Sequence, residues 1–108
     1  MALKTDGSEV ILNGATATGA GSAYRMIGGG RATVSAYGTT SSGSGSASIT
    51  IYVSNSGNAY ISAGTISLTL GTTAVEDGFA IDAAWTFIKA DVTAISGTGA
   101  TVSVIISA

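Results

Sequence analysis

The sequence contains no cysteine, no histidine and no proline. Without cysteine there is no disulfide framework and no thiolate to act as nucleophile or ligand. Without histidine the commonest general base and the commonest neutral metal ligand are missing, and a Ser-His-Asp triad is impossible. Without proline, strand breaks and turns must be built from Gly, Asn and Ser. Charge is scarce too. Only 9% of residues are charged, four Lys and Arg against six Asp and Glu, for a net charge of −2; a typical domain carries roughly 25%. Four scattered cations make no basic patch for a phosphate backbone, so no nucleic-acid partner is expected. No apolar run approaches the ~18 residues of a membrane span, and no membrane partner is expected. The opening "MALKTDGSEV" has no apolar core of a signal peptide, so the chain is expected to be made in the cytoplasm of its producing cell.

What is present is a β pattern. The chain has 108 residues, enough for one domain with one core, and 45% of them are hydrophobic. In "SASITIYVSNSGNAYISAGTISLTL" (46–70), Ile49, Ile51 and Val53 share one parity, and Ile66, Leu68 and Leu70 another, against Thr50, Thr65, Ser67 and Thr69. Ala32, Val34 and Ala36 alternate inward against Arg31, Thr33, Ser35 and Tyr37; Val102, Val104 and Ile106 share a face. Ile88, Ala90, Val92 and Ala94 alternate against Lys89, Asp91 and Thr93. The spacing predicts an all-β fold: a single β-sandwich or jelly-roll-like domain of about seven or eight short antiparallel strands over residues 10–108. Residues 1–9, with Lys4, Asp6 and Glu9, read as a polar N-terminal arm. "VILNG" (10–14) reads as a strand closed by an Asn-Gly turn, and 15–27 as one or two weak strands. "TTSSGSGSAS" (39–48) reads as a flexible loop tip, and 72–84 as the longest irregular stretch. Residues 85–96 and 100–107 read as a hairpin turned by "GTG".

Few residues offer chemistry. Glu76, Asp77 and Asp82 could supply oxygen ligands to a Ca²⁺ ion, but their spacing does not match an EF-hand loop; a solvated loop with a turn at Asp77-Gly78 is favoured. "GGGR" and "GSGSAS" lack the Lys-Ser/Thr end of a phosphate loop. A Ser-Lys pair would need Lys4 or Lys89, and neither sits in a motif. No enzyme activity, cofactor or metal is expected. Trp85 and Phe87 share a parity opposite to Ile88, Ala90 and Val92. Either a bulge turns both rings inward or they form a contact surface. Tyr24, Tyr37, Tyr52 and Tyr60 add amphipathic surface, without the spacing of a sugar platform.

Strand faces of uncharged Ser and Thr lack a main safeguard against edge-to-edge association. They also cost less to desolvate than carboxylates when each hydroxyl finds a partner. The pattern points to a component of an assembly. Lys4, Asp6, Glu9, Tyr60, Trp85 and Phe87 are the interface candidates.

The runs "GGGRATVSAYGTTSSGSGSASITIYVSNSGN", "ISAGTISLTL" and "EDGFAIDAAWTFIKADVTAISGTGATVSVII" resemble small structural proteins of tailed bacteriophages. The resemblance spans residues 28–106, with Gly78-Phe79, Asp82, Trp85, Phe87, Ile88, Lys89, Ala90 and Val92 through Val102 as its most specific part. One departure is Tyr60, which lies where such proteins often carry a Trp. The resemblance implies a head decoration (cement) protein on the capsid surface of the virion, bound to the major capsid protein and assembled as a homo-oligomer, a trimer by analogy. A tail, fibre or baseplate module, a carbohydrate-binding adhesin module and, last, an ice-binding protein are the rivals.

Overall fold

A computed structural model describes residues 8–26 and 31–107. It is an antiparallel β-sandwich. The strands are β1 (Ser8–Ala15), β2 (Gly19–Ala20), β3 (Tyr24–Arg25), β4 (Ala32–Thr39), β5 (Ser42–Ser54), β6 (Ile61–Leu70), β7 (Val75–Ile81), β8 (Phe87–Thr98) and β9 (Thr101–Ser107). One sheet has the order β1-β9-β4-β7 and the other β2-β8-β5-β6, with β3 also pairing β8. Among the described residues nine strands replace the expected seven or eight: the weak segment at 15–27 yields two pieces of two residues each, and the stretch at 72–84, read as irregular, yields β7.

The order follows from a single operation. If β2 and β3 are taken as one interrupted strand, the chain is one long hairpin with its tip at Gly57. Ser8 pairs with Ser107, Gly19 with Val92, Ala32 with Ile81 and Ile49 with Ile66, each nearly equidistant from that tip. Rolling this hairpin up brings β9 beside β4 and β8 beside β5. That is a jelly roll. The alternating apolar residues drive the rolling. Val34 and Ala36, Ile49 and Ile51, Ile88 and Ala90, and Val104 are wholly buried between the sheets, with Ile66, Leu68, Val102 and Ile106 beside them.

Four local expectations are corrected. Residues 85–96 and 100–107 do not form a hairpin: β8 and β9 lie in different sheets. Their apolar faces meet across the core, which buries both, whereas side-by-side pairing would leave one face of the pair to be covered elsewhere. Residues 42–48 are not a flexible tip but the first half of β5, hydrogen-bonded to β6 and β8. Residues 75–81 are not irregular; they form β7 along β4, so Asp77-Gly78 is strand rather than turn. Asn13-Gly14 is a bulge within β1. Gly14 takes a φ of 63°, and its N–H donates to Ser103 Oγ (2.9 Å) across the pair.

A second bulge changes the reading of β8. Ile49 faces Val92 and Ser48 faces Ala94, so Thr93 is the extra residue, and its hydroxyl donates to the Ser48 carbonyl (3.1 Å). Beyond it the parity inverts. Ala94 is exposed rather than inward, and Ile95 packs against the core.

The two ends of the sandwich differ. At one, short links cross or turn at 40–41, 71–74 and 99–100, tied by Thr40 N–H to the Gly71 carbonyl and Ser41 N–H to the Thr98 carbonyl (both 2.9 Å). At the other lie the β5–β6 tip, the β7–β8 connection and the first and last residues of the described chain. Most aromatic and charged side chains gather toward that second end.

Candidate functional site

The β5–β6 tip is held by side chains. Ser54 Oγ accepts from Gly57 N–H (2.9 Å) and Ser56 Oγ from Asn58 N–H (3.0 Å). Asn55 Oδ1 accepts from both the backbone N–H (3.2 Å) and hydroxyl (3.3 Å) of Thr86. These bonds fix the tip to the start of β8. Phe87 pairs with Ser54 and lies against Gly57: a Cβ on that glycine would stand 3.1 Å from the Phe87 ring.

One position pair further along, Lys89 faces Tyr52 across β8 and β5. The Lys89 ammonium lies 4.9 Å from the Tyr60 ring centre and 5.4 Å from that of Tyr52, and 3.7 Å from Asp91 Oδ2. Asp91 Oδ1 also accepts from Gly21 N–H (3.3 Å), which ties β2 to the same cluster. The Lys89 and Asp91 side chains keep 24% and 21% of their exposure. A half-shielded cation between two rings is worth about 0.5–2 kcal/mol. The result is a fixed aromatic platform with a neutralised charge in it.

Around the edge of the sandwich lies a cavity of about 220 Å³ lined by Val53, Ile61–Ala63, Phe79–Ala83 and Trp85. Phe79 reaches from β7 to Gly64 of β6, where a Cβ would meet its ring at 2.9 Å. Ile61 at the cavity mouth is 56% exposed, the most exposed large aliphatic side chain among the described residues.

The two readings of Trp85 and Phe87 separate. No bulge lies at the start of β8, so Phe87 shares the outer face with Lys89 and Asp91, while Trp85 precedes the strand and packs against the core. Replacing the half-buried Trp85 by Ala is expected to leave the sandwich folded and to lower stability by about 2 kcal/mol, measured by urea unfolding. Tyr60 and Phe87 are brought together at the tip. Glu9 is not among them; it stands in β1 opposite Ile106, in the other sheet. Lys4 and Asp6 lie outside the described residues.

The three carboxylates singled out in the sequence stay apart among the described residues. Glu76 Oε2 accepts from Ser35 Oγ (2.7 Å), Asp77 Oδ1 from Gly78 N–H (2.8 Å), and Asp82 pairs with Arg31 (2.9 Å) in full solvent. Sequence reasoning missed Lys89, Tyr52 and Asp91 as members of the platform. Their outward parity was visible, but not that β5 and β8 are neighbours.

No protein-family model and no curated protein matches this chain in sequence. Among solved structures, the crystal structure of the SPBc2 prophage-derived protein YomS has a similar fold. Its TM-score is 0.59 at 16% identity, over 93% of this chain and 89% of that one. At that identity the likeness speaks to the fold.

Proposed function

We propose that this chain is a non-enzymatic structural protein of a tailed-phage virion, and specifically a decoration protein that binds the outer capsid lattice and stabilises it. The observation that carries the reading is the outer face of the β8-β5-β6 sheet. Beyond Lys89 and Asp91 it presents Ser46, Ser48, Thr50, Thr65, Ser67, Thr69 and Ser96, without a charge. Four of these seven hydroxyls already pair with one another, Ser46 with Ser96 (3.1 Å) and Thr50 with Thr65 (3.4 Å). Such a face loses little on being covered. The phage-protein resemblance of residues 28–106 and the prophage origin of a structural neighbour point the same way.

The action is mechanical. Many copies bound to the assembled lattice, and not to free capsid subunits, stabilise it by mass action. The aromatic end, with Tyr52, Tyr60 and Phe87, supplies the side-chain types that dominate interface energetics. Of the polar arm read over residues 1–9, Ser8 and Glu9 belong to β1; the rest of it, which carries Lys4 and Asp6 and lies outside the described residues, is assigned the role of strand donor or clamp on a capsid neighbour. Deleting it is expected to weaken capsid binding while leaving the circular dichroism of the domain unchanged; undiminished binding would remove that role.

The test of the whole reading is quantitative mass spectrometry of purified particles. A copy number approaching that of the major capsid protein is expected. A far lower one would move the chain to the tail, fibre or baseplate. A second reading draws on the Tyr52–Lys89–Tyr60 cluster, which offers stacking surfaces to a sugar. Saturable binding on a glycan array, lost in Tyr60→Ala, would favour an adhesin module instead.

A further inference from the structure

A sandwich has four strand edges, each a row of unpaired backbone groups that must be blocked against other chains. Three of the four here are blocked. The β1 edge carries two irregularities, between Val10 and Leu12 and between Leu12 and Ala15. It also carries Glu9 opposite the buried Ile106, a charge on the inward parity. The β7 edge carries Glu76, and it carries Asp77 opposite the buried Ala36, again a charge on the inward parity. The β2/β3 edge is cut into pieces of two residues. The β6 edge has none of this beyond one irregularity at Ala63. Its remaining residues, Gly64–Leu70, run regularly along β5 with no charge and, as throughout the chain, no proline.

The same stretch is self-complementary. In "TISLT" (65–69), reversal about Ser67 puts Thr on Thr, Ile on Leu and Ser on Ser. We propose that β6 pairs antiparallel with β6 of a second copy of this chain about a twofold axis at Ser67. Thr65 then faces Thr69 of the mate on the outer surface, and Ile66 faces Leu68 on the inner one. Hydroxyl and β-branched pairs of this kind favour a sheet, and no like charges stand opposite each other. The two hydroxyl faces become one continuous surface, since Thr65 and Thr69 also border Thr50 and Ser46 of β5. This proposal stands whether or not the chain decorates a capsid, and it replaces the threefold order that the phage resemblance implies. Glu76 and Asp77 lie on β7, the strand across the core from β6, and each copy brings its own pair toward the axis. The contact is therefore expected to tighten as salt screens them.

The experiment is sedimentation equilibrium on the whole chain, supported by cross-linking. A single-strand contact is small, so a dimer in the micromolar range is expected. Ser67→Lys sets two ammonium groups face to face at the axis and is expected to weaken the dimer about 30-fold or more. Ser67 is exposed, so the variant keeps its melting curve. Ser96→Lys adds the same charge to the same face two strands away and is expected to leave the dimer intact. Directly opposed residues have Cα atoms about 4.5–5.5 Å apart, within disulfide reach. Ser67→Cys, the only thiol in its chain, is thus expected to oxidise to a covalent dimer, while Thr50→Cys, one strand in, stays monomeric on a denaturing gel. A wild-type monomer up to about 0.5 mM, or a dimer or trimer indifferent to Ser67→Lys, would overturn the proposal.

Discussion

Ile51→Ala is expected to lower the stability of the domain by about 3–4 kcal/mol and its melting temperature by roughly 15–25 °C. Ile51 has no exposed surface, and it stands in the second half of β5, the strand flanked by β6 and β8. Removing three carbons there opens a cavity between two sheets that are pinned on both sides, so little collapse can refill it. Most small domains have only 5–15 kcal/mol in total. The loss is thus a large part of the whole. The contrast is Ile61→Ala. Ile61 begins the next strand but is 56% exposed, and its truncation is expected to cost under about 0.5 kcal/mol. Thermal melts of both variants followed by circular dichroism check the difference. Equal effects would mean that the core is not where the alternation places it.

Gly45→Val is the second large effect, at about 3 kcal/mol or more, with loss of soluble folded protein as the expected outcome in the cell. A Cβ on Gly45 would collide with the Ser96 carbonyl oxygen and stand 3.0 Å from the Gly97 Cα, both backbone atoms of β8. Gly97 has a φ of 118°, and its own Cβ would meet the Gly45 Cα at 2.9 Å. The two glycines let β5 and β8 touch where their ladder skips between Ser42–Thr98 and Ser46–Ser96. No side chain can turn away from that contact, because the obstacles are main chain. Gly71→Ala is the companion variant. Nothing lies within 4 Å of its added carbon, and stability is expected to hold within about 0.5 kcal/mol.

The sequence made the inward faces readable and left their neighbours hidden. Val34, Ile49, Ile66, Ile88 and Val104 all sit inside as their alternation requires, because a period of two allows no other assignment once one face is apolar. Alternation carries no information on which strand lies beside which. That is why residues 85–96 and 100–107 read as a hairpin although they face each other across the core. The first half of β5 was illegible for another reason. "SGSGSAS" has the composition of a loop, and it becomes strand only because β6 and β8 supply hydrogen bonds on both sides. At the tip, Tyr60, Trp85 and Phe87 stood out by residue type. The Lys89 cluster did not, since it depends on Tyr52 and Lys89 meeting across a pairing of residues 37 apart in sequence.

The doubled hairpin also sets a timetable for biosynthesis. The tip is mid-chain, so pairing can begin at β5–β6 and spread outward, but each further pair waits for a later strand. The first sheet has the order β1-β9-β4-β7, and β9 alone joins β1 to the rest of it. Until β9 has cleared the ribosome, β1 has no partner and β4 has only one. Translation of 108 residues takes about 5–20 s, longer than the milliseconds to seconds in which most all-β domains fold. Through most of the synthesis of these strands the β1-β9-β4-β7 sheet therefore stays open. Release of the last strand, rather than the intrinsic folding rate, decides when the finished sandwich first exists.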